Sequence, residues 1–326
     1  MNGPFYLHVP DQACISGRQQ RIASPSASTL AVDTPAMETR NQRRARAARV
    51  TAVIPAMNEA ENLPHVFKCL PSIIDEVILV DGHSHDDTIA VARRLRPDVR
   101  VVMQTHRGKG NALACGFAVA IGDIIVMLDA DGSTDPAEIP LFVAALLDGA
   151  DFVKGSRYMT GGGSDDLTRL RRYGNAFLTA TVNALFGVQY TDLCYGYMAF
   201  WRRCLPQLAV DCSGFEVETL LTLRAAQAGL NIVEVPSIER ARIYGESNLR
   251  PVRDGVRVLR TIVRERRAGE RAADLAPAWA ALVGQLDHLP AADDTADSSR
   301  TQPEPAFHAS AVLNAGDLDA MEIRPA

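Results

Sequence analysis

Between Val50 and Gly155 the chain alternates short apolar runs with segments of helical periodicity. Runs rich in valine and isoleucine that are bounded by turn residues are typical of buried strands. Strands that alternate with helices form a parallel, doubly wound sheet with helices on both faces, so we predict an α/β fold. The predicted strands are Val50–Pro55, Glu76–Asp81, Arg100–Gln104, the run that begins at Asp123, and Asp151–Gly155.

The run that begins at Asp123 ends in two carboxylates, Asp129 and Asp131, followed by a glycine turn. In open α/β sheets, ligands bind beyond the carboxyl ends of the strands, which is where these acids lie. Mg²⁺ takes one or two carboxylates and completes its octahedron with water and phosphate oxygens. The pattern therefore suits a cation that bridges two phosphates, although Asp, Gly and Ser also form ordinary turns.

Composition narrows the class of protein. The 326 residues are 47% hydrophobic, enough for a substantial core, and the formal net charge of −5 argues against a nucleic-acid partner. The cysteines show no CxxC pair and no zinc-ligand spacing, which favours a reducing compartment. No secretory leader and no apolar run long enough to cross a bilayer is evident, so we expect a cytoplasmic protein.

The chain divides into four expected segments. Residues 1–48 lack apolar periodicity and are predicted to be a disordered tail, and residues 49–249 to be the folded domain. Residues 250–272 are predicted to form a basic amphipathic helix, and residues 273–326 an acidic, largely disordered tail. Within the domain we also expect helices from Asn58 to Leu70, Arg169 to Phe186 and Phe215 to Ala228, and strands at Asp192–Trp201, Ile232–Val235 and Arg240–Tyr244.

The first predicted strand is not followed by the G-x-G-x-x-G turn of a dinucleotide-binding dehydrogenase. It is followed by Ala56-Met57-Asn58-Glu59 instead. An acidic group at the end of the first strand is suited to contact a nucleoside, whereas a pyrophosphate would need a glycine-rich turn. An oxidoreductase is therefore a remote alternative.

Several motifs occur in a definite order along the chain. They are Val53–Glu59, Val80-Asp81-Gly82 with Asp86-Asp87-Thr88, Arg107-Gly108-Lys109-Gly110, Asp129-Ala130-Asp131, Gly155-Ser156-Arg157 and Phe215–Glu218. This ordered set resembles the family 2 glycosyltransferases of GT-A fold, and especially the dolichyl- and polyprenyl-phosphate sugar (glucosyl or mannosyl) synthases. The resemblance covers roughly Val50 to Leu249 and implies a nucleotide-sugar-binding, mostly parallel sheet with an α/β extension on the acceptor side.

The resemblance implies roles on the donor side. It assigns the nucleoside-diphosphate sugar, UDP- or GDP-linked, to Pro55, Glu59, Asp81, Lys109, Asp129 and Ala130. It assigns Mg²⁺ or Mn²⁺ to Asp129 and Asp131. Glu59 has an alternative role as an acid that complements the helix dipole, and Lys109 has one as a solvated loop lysine. Mannosyl-type relatives commonly carry a glutamine that helps to bind the metal at the place of Ser133, whose hydroxyl is a weaker ligand.

The expected catalytic residues are Asp131, Arg157, Glu216 and Glu218. Arg157 would neutralise a phosphate, or alternatively form a structural ion pair. Glu216 or Glu218 would accept a proton if the acceptor is a hydroxyl, and only one of them is expected to face the cleft. For a lipid phosphate acceptor, the binding cations would be Arg157 with Arg169, Arg171 and Arg172, whose alternative role is that of surface arginines.

The segment Pro251–Arg267 is amphipathic, with an apolar stripe formed by Val252, Val256, Leu259 and Val263. Many relatives continue into transmembrane helices at this point. Here the helix either lies in the lipid headgroup layer, as a peripheral contact with the inner face of the membrane, or packs its stripe on the domain.

The leading hypothesis is an inverting, metal-dependent glycosyltransferase that acts on a polyprenyl phosphate. The same donor chemistry on a soluble acceptor, a non-catalytic sugar-nucleotide-binding subunit and a nucleotidyltransferase are the alternatives.

Overall fold

The computed structural model describes residues 48–246 and 249–268. Within these residues a seven-stranded sheet has the order β3-β2-β1-β4-β7-β5-β8, and β6 and β9 form a separate two-stranded sheet. The predicted α/β, doubly wound and mostly parallel architecture is confirmed. The strands are β1 Val50–Ala56, β2 Glu76–Asp81, β3 Arg100–Met103, β4 Ile124–Met127, β5 Phe152–Ser156, β6 Gly163–Ser164, β7 Met198–Trp201, β8 Ile232–Pro236 and β9 Ile238–Glu239.

The parallel strands bring the expected site residues to one edge. β1 pairs in parallel with both β2 and β4, so Ala56 lies beside Asp81 and the carboxyl end of β4 lies nearby. β7 is inserted antiparallel between β4 and β5, with Ile125 opposite Phe200. The acids that follow β1, β2 and β4 therefore emerge on the same side of the sheet.

Helices cover both faces of the sheet. Leu63 and Phe142 pack on one face, and Phe117 and Leu221 pack on the other. The helices are α1 Leu63–Cys69, α2 Thr88–Leu95, α3 Lys109–Val119, α4 Ile139–Leu147, α5 Arg169–Phe186, α6 Leu205–Leu208, α7 Val217–Gln227 and α8 Pro251–Ala268, with short 3-10 turns at Pro136–Glu138 and Arg202–Cys204.

A third core cluster joins the last helix to the domain. It includes Leu178 and Val182 of α5, Leu223 of α7, and Val258 and Ile262 of α8. These contacts make α8 an integral part of the folded domain. None of the helices in the described ranges combines the length and the hydropathy needed to cross a bilayer.

Three element predictions were wrong, two in their bounds and one in placing a strand. The strand expected at Asp192–Trp201 is confined to Met198–Trp201, because the carboxylate of Asp192 turns into the interior and bonds to Arg157. The helix expected from Asn58 begins only at Leu63, since Asn58 has a φ of 58°. No strand forms at Arg240–Tyr244, because the backbone N–H groups of Arg240 and Ile243 bond to the carbonyls of Ser133 and Asp131 in the loop after β4.

The apolar stripe of α8 does not pack on the domain. Val252, Val256, Leu259 and Val263 are all exposed, whereas the side that faces the domain carries Asp254, Val258, Thr261, Ile262 and Glu265. The alternative that this helix packs its apolar stripe on the domain is therefore wrong for the described residues. The predicted tails, 1–48 and 273–326, lie outside the described residues except for Ala48.

Candidate active site

Two cations and four acids form the centre of the site at the carboxyl edge of the sheet. Lys109 is paired with Asp129 and Glu218, and Arg242 is paired with Asp131 and Glu59. The sequence analysis named every member of this cluster except Arg242. The four acids come from the segments that follow β1 and β4 and from the start of α7, so the fold joins the predicted donor side to the predicted acceptor side.

Lys109 occupies the middle of the cluster. Its Nζ lies 2.6 Å from Oδ1 of Asp129 and 2.8 Å from Oε1 of Glu218, and only 11% of its side chain is exposed. The alternative of a solvated loop lysine is therefore wrong. Lys109 is the first residue of α3, and its position connects the end of β4 to the start of α7.

The glycines on either side of Lys109 set its position. Gly108 has a φ of 102°, a conformation that favours glycine. At both Gly108 and Gly110, an added Cβ would collide with the backbone carbonyls of Ser213 and Cys212. The start of α3 therefore packs directly on the loop that precedes α7. This close approach explains the glycines of the Arg-Gly-Lys-Gly motif and brings Lys109 within reach of Glu218.

Burial shifts the ionisation of this cluster. Desolvation raises the pKa of Asp129 and of Glu218 above their ordinary values, although the Lys109 ammonium opposes the shift in both. Desolvation alone would lower the pKa of Lys109, but the two carboxylates outweigh it and raise that pKa. Lys109 is consequently charged at neutral pH and compensates part of the negative charge of the site.

Arg242 is the site residue that the sequence analysis missed. Its guanidinium donates to Oε1 of Glu59 at 2.5 Å and to Oδ2 of Asp131 at 3.2 Å. Asn62 holds the neighbouring segment, because its amide bonds to both the N–H and the C=O of Tyr244. The sequence signal for this residue is its position two residues before the Tyr244-Gly245 pair. The predicted strand Arg240–Tyr244 includes Arg242 but gives it no role in the site.

The acid pair at the end of β4 suits a hard cation. Asp129 and Asp131 have side chains that are 29% and 21% exposed, so both carboxylates remain accessible. Residues 48–246 and 249–268 contain no group of three or more His, Cys, Asp or Glu side chains arranged for a metal ion. Two carboxylates suffice for Mg²⁺ or Mn²⁺ where substrate phosphates supply further oxygens. Ser133 bonds to Asp131 through its backbone N–H.

Asp81 lies at the end of β2 with one oxygen available. Its Oδ2 accepts from the backbone N–H of Ser84 at 2.9 Å, whereas its Oδ1 is buried without a hydrogen-bond partner among the described residues. A buried acceptor of this kind fits an N–H or O–H donor on a ligand. Glu59, whose pKa is raised by burial, lies on the adjoining segment. Pro55 is paired with Val80 in the sheet, and Ala130 belongs to the core.

Arg157 is held in a buried ion pair. Its guanidinium makes a bidentate contact with Asp192, at 2.7 and 2.9 Å, and donates to Glu239 at 3.0 Å. It also stacks on Tyr195, with its central carbon 4.9 Å from the ring centroid. The structural ion pair that the sequence analysis gave as an alternative is therefore present. Arg157 nevertheless lines a cavity that Glu218 borders as well.

The three arginines at the start of α5 are placed differently. Arg171 lines the same cavity as Arg157 and pairs with Asp166 at 2.7 Å and with Glu239 at 3.7 Å. Arg169 and Arg172 are exposed and do not line this cavity. Of the three predicted acceptor residues, the structure brings Arg171 to the site.

The two glutamates at the start of α7 are also separated. Glu218 lines the cavity and is bonded to Lys109. Glu216 bonds to the N–H of Gly214 through Oε1, and its Oε2 is buried without a hydrogen-bond partner among the described residues. Glu216 is not part of the cavity lining. Glu218 is therefore the glutamate that faces the cleft.

Comparisons with known proteins agree on one family. The model of "Glycosyl transferase family 2" matches residues 51–208. The chain is 34% identical over 220 residues to polyprenol monophosphomannose synthase of Mycolicibacterium smegmatis, over 62% of this chain and 81% of that protein. It is 32% identical over 213 residues to undecaprenyl-phosphate mannosyltransferase of Micrococcus luteus, over 62% of this chain and 87% of the relative.

Solved structures show the same fold. Glucosyl-3-phosphoglycerate synthase of Mycobacterium tuberculosis, in complex with phosphoglyceric acid, aligns with a TM-score of 0.55 and 25% identity over 68% of this chain and 81% of that chain. The same enzyme in complex with Mg²⁺ and uridine diphosphate aligns with the same TM-score, identity and coverage.

Proposed function

Because the chain belongs to glycosyl transferase family 2, we propose that it transfers a sugar, with inversion, from a UDP- or GDP-sugar to a polyprenyl or dolichyl phosphate. The predictions of family membership and of a glycosyltransferase are confirmed. The donor, the acceptor, the roles of individual residues and a position on the cytoplasmic face of the membrane are parts of the proposal.

One observation carries the proposal. Lys109 joins Asp129, where the donor diphosphate is expected, to Glu218, which borders a cavity of about 360 Å³. Arg157 and Arg171 also line this cavity, and most of its other residues are apolar, including Leu170, Phe177, Leu178, Val252, Val256 and Leu259. The acids of the lining are Glu218, which is paired with Lys109, and Asp254, which accepts from the N–H of Arg250. A cavity that combines cations with a mostly apolar lining suits a phosphate attached to a hydrocarbon chain.

The chain's own residues suit the donor. Asp81 has a buried oxygen available for a nucleoside N–H or O–H, and Glu59 is the neighbouring acceptor. Asp129 and Asp131 would hold a divalent cation, which stabilises the charge on a departing diphosphate when it is bound. Arg242 holds Asp131 and Glu59 together, so it compensates their charge before the donor arrives.

The acceptor side requires little proton transfer. A phosphate monoester oxygen is already anionic at neutral pH, so it can attack without a strong general base. Lys109 neutralises Glu218 and thereby reduces its repulsion of an anionic acceptor. Arg171 contributes positive charge to the cavity and, unlike Arg157, keeps 23% of its side chain exposed. An acceptor hydroxyl would instead need Glu218 as the proton acceptor.

A donor and acceptor screen tests the proposal. Purified protein with Mn²⁺ is incubated with UDP- and GDP-sugars, with and without undecaprenyl phosphate, and the release of nucleoside diphosphate is measured. We expect release that depends on the lipid phosphate and a sugar-phospholipid product detectable by mass spectrometry. Formation of pyrophosphate would instead indicate a nucleotidyltransferase, and binding of nucleotide sugar without turnover would indicate a non-catalytic subunit.

A soluble phosphorylated acceptor is the second candidate. The solved neighbour from Mycobacterium tuberculosis was crystallised with phosphoglyceric acid, which is a phosphate without a lipid tail. The same screen separates the two candidates when phosphoglyceric acid is included as an acceptor. Release that depends on this acid and not on undecaprenyl phosphate would favour the soluble acceptor.

A further inference from the structure

Two packed helices share an exposed apolar surface. α5 exposes Leu170, Tyr173 and Phe177, which are 63%, 73% and 63% exposed, and α8 exposes Val252 and Val256, which are 73% and 45% exposed. The two helices contact each other through the core cluster around Val182 and Ile262. We name this surface the α5–α8 face; its apolar members are Leu170, Tyr173, Phe177, Val252, Val256, Leu259 and Val263.

This exposure is unusual for an amphipathic helix. A surface helix ordinarily turns its apolar stripe to the core, but α8 packs on the domain with a mixed side that buries Asp254 and Glu265. The buried acids have local partners, since Asp254 accepts from the N–H of Arg250 and Glu265 pairs with Arg224. Among the described residues the regular stripe of α8 stays exposed, and large exposed apolar surfaces commonly mark sites of interaction with a partner or a membrane.

The exposed charges on the two helices themselves have one sign, and the neighbouring exposed acids Asp166 and Asp211 are paired with Arg171 and Arg264. α5 contains no acidic residue, and the only acids of α8, Asp254 and Glu265, are buried. Every exposed charged side chain on the two helices is consequently an arginine, although the whole chain has a formal net charge of −5. Some of these exposed arginines neither line the cavity nor form the ion pairs described above. They include Arg169, Arg172, Arg253, Arg260, Arg266 and Arg267. The face is thus complementary to an anionic surface.

The acceptor cavity reaches this face. Its lining includes Leu170, Phe177 and Val252, which are among the most exposed apolar side chains, and Arg157 and Glu218, which are buried. An acceptor that enters between α5 and α8 can therefore keep its hydrocarbon chain among apolar side chains while its phosphate approaches the cations.

We propose that the α5–α8 face binds the surface of an anionic lipid bilayer, with the apolar side chains at the acyl boundary and the arginines among the headgroups. The lipid-borne acceptor then enters the cavity directly from the bilayer. Only this second statement rests on the function proposed above. A protein face with apolar residues flanked by arginines is suited to binding the surface of an anionic bilayer. Symmetric pairing with a second copy would place arginines opposite arginines without exposed acids on the two helices to compensate them.

Vesicle flotation of the full chain tests the binding. Vesicles of phosphatidylcholine alone are compared with vesicles that also contain phosphatidylglycerol. We expect binding only to the anionic vesicles, and a decrease of about tenfold or more in Tyr173→Glu/Val252→Glu, because each change places a carboxylate against the bilayer. Leu141→Glu is the matched control, since Leu141 is 44% exposed on α4, away from this face, and it should float like the wild type.

A second measurement distinguishes failure of the proposed function from failure of the proposed bilayer contact. It uses the single variant Tyr173→Glu, because Tyr173 does not line the cavity. We expect wild-type transfer to a short, water-soluble prenyl phosphate without vesicles, but a clear loss on vesicle-embedded undecaprenyl phosphate. If the wild type floats with the vesicles but transfers sugar to no prenyl phosphate, the proposed acceptor is wrong, whereas the proposed bilayer binding is supported. Equal flotation of Tyr173→Glu/Val252→Glu and wild type would overturn the proposal that this face binds the bilayer. The proposal would also be overturned if the full chain formed a dimer that does not float and if these substitutions dissociated that dimer.

Discussion

The Nζ of Lys109 lies 2.8 Å from Oε1 of Glu218, and this contact joins α3, which begins beside the proposed donor site, to α7, which borders the proposed acceptor cavity. The same ammonium group bonds to Asp129 at the end of β4. Lys109 therefore couples the two halves of the proposed site electrostatically. Its charge also opposes the rise that burial causes in the pKa of both carboxylates.

Removal of Lys109 should destabilise the protein. Lys109→Met leaves Asp129 and Glu218 without their shared cation, and breaking such a buried pair costs about 3–5 kcal/mol in the free energy of unfolding. Because Glu218→Gln removes one of the orphaned charges, the double variant should recover part of this loss, with a coupling of about 0.5–3 kcal/mol. Urea unfolding of the four proteins measures the cycle; strictly additive losses would contradict the coupling.

Asp131→Asn should stop catalysis without unfolding the protein. Asp131 is one of the two acids proposed to hold the metal, so we expect the release of nucleoside diphosphate to fall by about 10²–10³-fold. Circular dichroism should remain that of the wild type. Ser133→Ala is the matched control, because Ser133 contacts Asp131 through its backbone, and its activity should change less than about threefold. Full activity in Asp131→Asn would refute the metal assignment.

Arg242→Gln should strengthen metal binding in the absence of the donor. Arg242 is paired with Asp131, so it competes with a divalent cation for that carboxylate. We expect the affinity for Mn²⁺, measured by titration calorimetry, to increase by a factor of about 3 to 10. Arg240→Gln is the matched control, because Arg240 is 55% exposed and is not paired with Asp131. Weaker Mn²⁺ binding in Arg242→Gln would show that the arginine supports the metal site.

The ion pair beneath the acceptor cavity should make stability depend on pH. Burial alone would raise the pKa of Asp192, but its bonds to Arg157 outweigh burial and lower that pKa below the ordinary value of 3.8. The pair therefore contributes its full stabilisation above this pH, and the contribution is lost as pH falls through the folded-state pKa. At pH 7 we expect Asp192→Asn to lower the free energy of unfolding by about 3–5 kcal/mol.

The difference between wild type and Asp192→Asn should then shrink below about pH 4. Urea unfolding at pH 7, 5 and 3 measures it. Asp98→Asn serves as a surface comparison, because Asp98 pairs with Arg96 but is 66% exposed, and should change stability little at any pH. A difference for Asp192→Asn that stays constant down to pH 3 would show that its ionisation does not produce the stabilisation.

The sequence was sufficient where structure depends on local patterns. β-branched runs specified β1, β2 and β4 to within a residue or two, and they placed Asp81, Asp129 and Asp131 at or just after the strand ends on one edge of the sheet. Parallel pairing requires the strand ends to lie together, so no side-chain contact had to be known. The order of motifs added the family, because each motif marks one functional turn.

Contacts between distant segments were not accessible in this way. Arg242 and Asp131 are separated by 111 residues, and nothing in either segment specifies that they pair. The local pattern of β7 likewise does not show that it enters the sheet antiparallel, between β4 and β5. Periodicity indicated an apolar stripe on α8 but assigned it equally to the domain or to a membrane.

The sequence by itself therefore determined the α/β architecture, the family and the position of Asp81, Asp129 and Asp131 at the sheet edge. The architecture and these positions follow from short-range propensity and strand order, and the family follows from the order of the motifs. Only the tertiary structure decided that Lys109 is shared by Asp129 and Glu218, that Arg157 is engaged by Asp192, and that the stripe of α8 is exposed. Packing made these choices, since the partner of a buried charge and the side of a helix that faces the core depend on segments far away in the chain.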